Sequence, residues 1–145
     1  MAEKQMPGPY VLSAVDIAYL CAPPSKDAVV PVSDQGGGVQ CVGLVKYYTK
    51  CGATNTWRKG ALVADSPRLA AGTAIATFDA QGRYPNHKSG NHACFFLKNM
   101  PGDQGITVLE QHVRPSPNKI QTRNILYRQG KGTPSDDASA YAVIL

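Results

Sequence analysis

The stretch that decides the fold is Gly36-Gly37-Gly38-Val39-Gln40-Cys41-Val42-Gly43-Leu44-Val45-Lys46, a glycine run that leads into an amphipathic segment. Apolar residues recur at three-to-four spacing after the glycines, which predicts a helix over about residues 39–50. Glycines let other backbone or a ligand come close to the start of that helix. Cys41 is therefore expected on the first helical turn, where the helix dipole favours the thiolate and lowers the pKa of a thiol.

A second informative segment, Gly90-Asn91-His92-Ala93-Cys94-Phe95-Phe96, predicts a strand over about residues 91–98. Alternation places His92 and Cys94 on one face of this strand. A thiolate nucleophile and an imidazole base are the minimum equipment for thiol-based acyl transfer. The pattern thus predicts that Cys41 and His92 form a catalytic dyad. The alternatives are that Cys41 is a buried core cysteine and that His92 is a structural histidine of the sheet.

The dyad needs a third group that fixes the imidazole tautomer. A strand predicted over about residues 106–113 carries three consecutive candidates, Glu110, Gln111 and His112. We favour Glu110 as the group that orients the imidazole. The alternative for Glu110 is a solvent-facing residue or an ion-pair partner of Arg123. Alternation alone does not say which of the three candidates faces His92.

Acyl transfer also needs donors for the oxyanion that forms on the attacked carbonyl. The backbone N–H of Cys41 is one candidate, and the side chains of Gln35 or Gln40 are others. Two loop segments mix aromatic with hydrogen-bonding residues and can line a cleft, or simply form turns. They are 57–60 and 84–87.

The element order predicts an α+β domain, with helices first and an antiparallel sheet of strands after them. The nucleophile helix is expected to pack on this sheet, and the 145 residues are expected to form one domain, residues 1–145. The remaining predicted elements are a helix over about 10–21 and strands near 57–63, 72–78, 119–127 and 140–145.

Composition is that of a globular protein, 43% hydrophobic and 17% charged. No run approaches the roughly eighteen apolar residues of a bilayer-spanning helix, and Glu3 and Lys4 make a poor start for a secretory signal. The net charge of +5 suits an anionic partner such as wall polymer, a membrane surface or nucleic acid, or serves solubility alone. Lysines and arginines are scattered without interleaved aromatics, so nucleic-acid binding is not expected.

The four cysteines, at positions 21, 41, 51 and 94, show no CxxC spacing, so no metal site is expected. No cofactor is expected either. Synthesis in a reducing compartment makes free thiols the default. A later pairing of Cys21 with Cys51 stays open. Cys94 is either a packed core cysteine or a neighbour of Cys41 that forms a disulfide with it under oxidation.

Residues 38–45 resemble the nucleophile segment of NlpC/P60 and CHAP amidases, and residues 90–93 resemble their histidine segment. Together with residues 72–78 and the pair Glu110-Gln111, the motifs resemble the type VI secretion amidase effectors, with the third of those families as the nearest. The resemblance covers about residues 36–128. It departs at His112, where a tryptophan is expected, and at Glu110, where an aspartate is usual.

The resemblance implies a papain-like fold and an antibacterial toxin that hydrolyses peptide cross-links of peptidoglycan. The D-Ala to diaminopimelate bond is favoured over the γ-D-Glu to diaminopimelate bond. It further implies synthesis in the bacterial cytoplasm, export by the type VI apparatus without a signal peptide, action in the periplasm of a rival, and a cognate immunity protein. No membrane insertion is implied. A thiol hydrolase or acyltransferase acting on a cytosolic protein and an inactive wall-binding module are the alternatives.

Overall fold

The computed structural model describes residues 8–22, 41–85, 90–113 and 116–145, without the side chains of 112–119. Gln35 and Gln40, predicted as oxyanion donors, lie outside the described residues, as does the side chain of His112. Among the described residues, no helix combines the length and the apolar character needed to cross a membrane.

The described residues contain two short α-helices. Helix α1 spans Ala14–Cys21, and the side chain of Ser13 caps it by accepting from the Asp16 N–H at 3.1 Å. The predicted start at residue 10 was therefore four residues too early. Residues 10–12 instead lie extended, because the Leu12 N–H donates to Gly72 O at 2.8 Å. Helix α2 spans Cys41–Tyr48, which confirms the prediction of a helix that carries Cys41 in its first turn.

Within the described part of the chain, six strands form one antiparallel sheet in the order β1-β6-β2-β3-β4-β5. The strands β2 to β5 form a simple meander, as predicted. The last strand departs from the meander and returns to lie between β1 and β2. The strand bounds are β1 Lys59–Leu62, β2 Ala74–Thr77, β3 Ala93–Asn99, β4 Gly105–Val113, β5 Ser116–Leu126 and β6 Tyr141–Ile144.

The two faces of the sheet bury different sets of side chains. On one face α2 packs against β3 and β4, so that Leu44 and Val45 join a cluster with Phe95 and Leu109. The other face carries a second cluster, which includes Ile75, Cys94, Phe96, Val108, Ile125 and Tyr141. The prediction of an α+β domain with the nucleophile helix packed on an antiparallel sheet is confirmed.

Candidate active site

Helix α2 places the Cys41 thiol at the start of strand β3. Cys41 is the first residue of α2 and is half-buried, whereas Val42, Leu44 and Val45 behind it are buried in the core. The apolar face of the helix therefore anchors it on the sheet. The Cys41 thiol lies near Ala93, the first residue of β3, whose N–H helps to lower the pKa of the thiol.

His92 lies immediately before β3, not inside it as predicted. Two hydrogen bonds fix its backbone to the end of β2: the His92 N–H donates to Thr77 Oγ1 and the Thr77 N–H donates to His92 O, both at 3.0 Å. The residue is only 3% exposed. His92 thus has a buried ring on a backbone that is held from two sides.

The Cys41 thiol and the His92 ring lie close enough together for each to shift the pKa of the other. Burial raises the pKa of Cys41, but the hydrogen bond to His92 and the charge on that ring outweigh burial and lower the pKa. Burial lowers the pKa of His92, yet its hydrogen bonds to Cys41, Cys94 and Glu110 raise it well above its ordinary value. Both shifts favour a thiolate–imidazolium pair.

Glu110, one of the predicted trio, contacts His92. Its Oε1 lies 2.8 Å from His92 Nε2, and the side chain is fully buried. Since Nε2 faces this carboxylate, Nδ1 is the ring nitrogen left for the thiol side. Burial raises the pKa of Glu110, but its hydrogen bond to His92 and the charges of His92 and Arg123 together lower it. Glu110 therefore stays a carboxylate that can hold the imidazolium.

The second oxygen of Glu110 is also occupied. Glu110 Oε2 accepts from Arg123 Nε at 2.8 Å and from Gln121 Nε2 at 2.9 Å. The two interpretations that the sequence left open, an orienting residue and an ion-pair partner of Arg123, are thus present in the same side chain. Gln111, the next residue along β4, is buried and points to the opposite face of the strand.

Tyr84 belongs to a loop that the sequence marked only as possible cleft lining, yet it meets the thiol. Its hydroxyl lies 3.8 Å from Cys41 Sγ and accepts a hydrogen bond from Asn91 Nδ2 at 3.2 Å. Burial raises the pKa of Tyr84 well above its ordinary range, so the hydroxyl stays protonated. The ring packs edge-on against Trp57, with centroids 5.1 Å apart. The Tyr84 O–H is therefore a fixed donor beside the sulfur.

The other three cysteines, Cys21, Cys51 and Cys94, are free thiols. Cys21 is exposed on α1 and Cys51 is buried. Cys94 is fully buried, and burial raises its pKa, although the nearby His92 opposes this shift. Cys94 therefore forms part of the wall behind the imidazole.

A thiol at the start of a helix, an imidazole at the edge of the facing sheet and a carboxylate behind the ring define a papain-like domain of the NlpC/P60 type. Residues 10–144 match the family model described as domesticated amidase effector 2, and the chain belongs to that family.

Two relatives support this assignment. A type VI secretion amidase effector 2 protein of Salmonella typhi is 49% identical over 76 residues, which are 52% of this chain and 55% of that protein. The alignment thus spans about half the length of this curated relative. A solved structure of type 6 secretion amidase effector 2 superimposes with a TM-score of 0.71 at 32% identity and covers 94% of both chains. The expected resemblance to type VI amidase effectors is confirmed, and the matches carry the designation of the second family, where the motifs suggested the third.

Proposed function

We propose that this protein is a peptidoglycan amidase that hydrolyses wall peptides by a cysteine mechanism and acts as an antibacterial type VI secretion effector. The observation that carries the proposal is the contact chain Cys41–His92–Glu110, in which a half-buried thiol lies beside a buried imidazole that is paired with a buried carboxylate. Membership of an amidase effector family supports it, as do relatives named as type VI secretion amidase effectors.

In the proposed mechanism the Cys41 thiolate attacks the carbonyl carbon of the scissile amide and forms a C–S bond. The His92 imidazolium then gives its proton to the leaving nitrogen as the C–N bond breaks, which leaves a thioester and a free amine. Neutral His92 next takes a proton from water, the resulting hydroxide attacks the thioester, and Cys41 departs as thiolate. Glu110 orients the ring and stabilises its charged form in both steps.

The oxyanion of each tetrahedral intermediate requires hydrogen-bond donors close to the sulfur. We assign the Tyr84 hydroxyl to this role, because its oxygen already accepts from Asn91 and its own proton is free to point toward Cys41. The Cys41 backbone N–H at the start of α2 is a second proposed donor. Gln35 and Gln40 remain proposed donors outside the described residues.

Replacing Tyr84 by phenylalanine is expected to lower kcat about 100-fold, since loss of one oxyanion donor has an effect of this order. The ring and its packing on Trp57 remain, so thermal stability should change little. Steady-state hydrolysis of purified muropeptides measures kcat and KM. The control is Tyr47→Phe, which removes a hydroxyl from an exposed ring on α2. Equal kcat values for the two variants would exclude the Tyr84 hydroxyl from the reaction.

For the substrate we favour the D-Ala to diaminopimelate cross-link of peptidoglycan, with action in the periplasm of a target cell. The partners proposed with it are the type VI secretion apparatus and a cognate immunity protein. The relatives' names support the class of enzyme and the export route. We further propose that the whole chain, residues 1–145, forms the amidase domain.

The substrate proposal is tested by incubating the enzyme with diaminopimelate-type peptidoglycan, digesting with a muramidase and identifying the products by mass. Cleavage of the favoured bond should convert cross-linked dimers into monomers with intact stem peptides. Stem peptides truncated after γ-D-Glu would move the cut to the other bond. The Cys21→Ala variant, which removes an exposed thiol at the end of α1, should give the same products. An unchanged wall would contradict the proposal and favour a cytosolic substrate or a binding role.

A further inference from the structure

Arg123 lies behind Glu110, one step further from the thiol than the proposed catalytic residues. We propose that Arg123 is a positioning residue for the thiol chemistry, which it supports by holding the Glu110 carboxylate against His92. This inference rests on the proposed function in one respect, the assignment of Cys41 and His92 as the reacting pair. Arg123 becomes the fourth residue of the contact chain Cys41–His92–Glu110, and it lies on β5, next to the strand that carries Glu110.

The geometry gives Arg123 a fixed orientation. Its Nε donates to Glu110 Oε2 at 2.8 Å, its Nη1 donates to Asp136 Oδ1 at 2.8 Å, and its Nη2 donates to Ser135 O at 3.1 Å. The same carbonyl of Ser135 accepts from the Tyr141 hydroxyl at 2.8 Å. The planar guanidinium cannot turn away from Glu110 without breaking bonds on two further sides.

The strand register explains why Arg123 reaches the carboxylate. Glu110 on β4 pairs with Gln121 on β5, and Arg123 lies two residues further along the same face of β5. Gln121 and Arg123 therefore both donate to Oε2 and leave Oε1 to His92. A carboxylate held in this way has one free direction, and that direction points to the imidazole.

Charge strengthens the same arrangement. Glu110 is fully buried, and burial by itself favours its protonated form. The hydrogen bond to His92 and the charge of that ring oppose this most, and the charge of Arg123 adds to them, so that the pKa of Glu110 is lowered. Charged or titratable groups from several elements influence Glu110 or its immediate partners: His92 just before β3, Cys94 in β3, Arg123 on β5, Asp136 in the loop after it, Tyr141 on β6 and Cys41 on α2.

These charges determine the direction in which loss of Arg123 should shift the pH dependence of Cys41 reactivity. Without Arg123, Glu110 takes up a proton at higher pH and no longer stabilises the imidazolium. The pKa of His92 then falls, the thiolate loses its cationic partner, and the pKa of Cys41 rises. The acidic limb of Cys41 reactivity should therefore move to higher pH.

The test measures the rate of Cys41 alkylation by iodoacetamide against pH, read by mass spectrometry of the peptide that carries Cys41. For full-length Arg123→Gln the midpoint of the acidic limb should rise by up to about 1 pH unit, because loss of an adjacent opposite charge raises the pKa of a carboxylate by about 1 to 3 and this change reaches Cys41 only through His92. Arg123→Lys, which keeps the charge, should restore at least half of that shift. Arg128→Gln makes the same charge change at an exposed position and should leave the limb in place. The inference would be overturned if the midpoint did not change in Arg123→Gln, or if it shifted equally in Arg123→Gln and Arg128→Gln.

A double-mutant cycle separates positioning from a general loss of packing. If Arg123 acts through Glu110, Arg123→Gln should add no further shift in a Glu110→Gln background. This double variant also carries no unpaired buried charge, so it stays informative even if Arg123→Gln alone does not fold. Additive shifts would overturn the inference.

The alkylation assay uses no wall substrate, so the two proposals fail separately. If the wild type releases no muropeptides but the limb shifts as expected, the proposed function is wrong and the role of Arg123 stands. If muropeptides are released and the limb does not respond to Arg123→Gln, the reverse holds.

Discussion

Cys41→Ala is expected to abolish amide hydrolysis, with kcat reduced on the order of 10⁵-fold or more, as when a covalent nucleophile is removed from a hydrolase. Among the described residues no other thiol replaces it, because Cys51 and Cys94 are buried and Cys21 lies on α1. Alanine is the best helix former at the half-buried start of α2, so the fold should remain. Release of muropeptides by the purified variant, followed by mass, measures the loss.

Two measurements make the loss specific. The midpoint of thermal unfolding should lie within a few degrees of the wild type, since a half-buried Cys-to-Ala change alters stability by no more than about 1 kcal/mol. Cys21→Ala removes a thiol of the same chemistry and should keep full activity. Hydrolysis by Cys41→Ala within tenfold of the wild-type rate would mean that another group attacks the amide.

His92→Ala is expected to lower kcat by about 10³- to 10⁴-fold, the range for loss of a general acid and base. A second effect reinforces this loss. In the wild type the lowered pKa of Cys41 and the raised pKa of His92 define a pH window in which the pair is charged. In the variant the thiol loses its cationic partner, and burial, the largest influence on its pKa, then outweighs the smaller lowering effects of Ala93 and Tyr84. The thiolate fraction near pH 7 should therefore fall.

Alkylation of Cys41 by iodoacetamide over pH 5 to 9 tests this second effect directly. Wild-type reactivity should persist below the ordinary thiol pKa of about 8.5 and disappear only as the pH falls through the lowered pKa of Cys41. Reactivity of His92→Ala should instead appear only at alkaline pH. The matched control is Thr122→Ala, an exposed change on β5 that should leave the profile unaltered. Identical profiles for the wild type and His92→Ala would show that the imidazole does not activate the thiol.

Local patterns in the sequence predicted much of the fold. The three-to-four spacing after the glycines led to a helix that carries Cys41 in its first turn, and two-residue alternation led to the strands β3 and β4. The predicted ends of the elements were less accurate than their types. Residues 10–12 have an apolar character that suits a helix, but they pair with the backbone of residues 72–74 instead. Tertiary hydrogen bonds overrode the local preference there.

Some residues of the candidate site were also predictable from local sequence, whereas others were not. Cys41 and His92 were identifiable from the residue types and their neighbours in sequence. Tyr84 was visible only as part of a loop, because its contact with Cys41 depends on a turn and on Trp57 packing behind the ring. Arg123 was considered as a partner of Glu110 but without a role toward His92, since nothing local places Glu110 in contact with both.

By itself, the sequence determined the α+β class, the nucleophile helix, the histidine segment and a short set of orienting candidates. These depend on periodicity and on residue chemistry, which act over a few neighbouring residues. Only the tertiary structure decided that Glu110 and not Gln111 faces the imidazole, that Tyr84 meets the thiol, and that β6 lies between β1 and β2. Each of these depends on register between distant segments, and a one-residue slip of a strand would move every side chain to the opposite face.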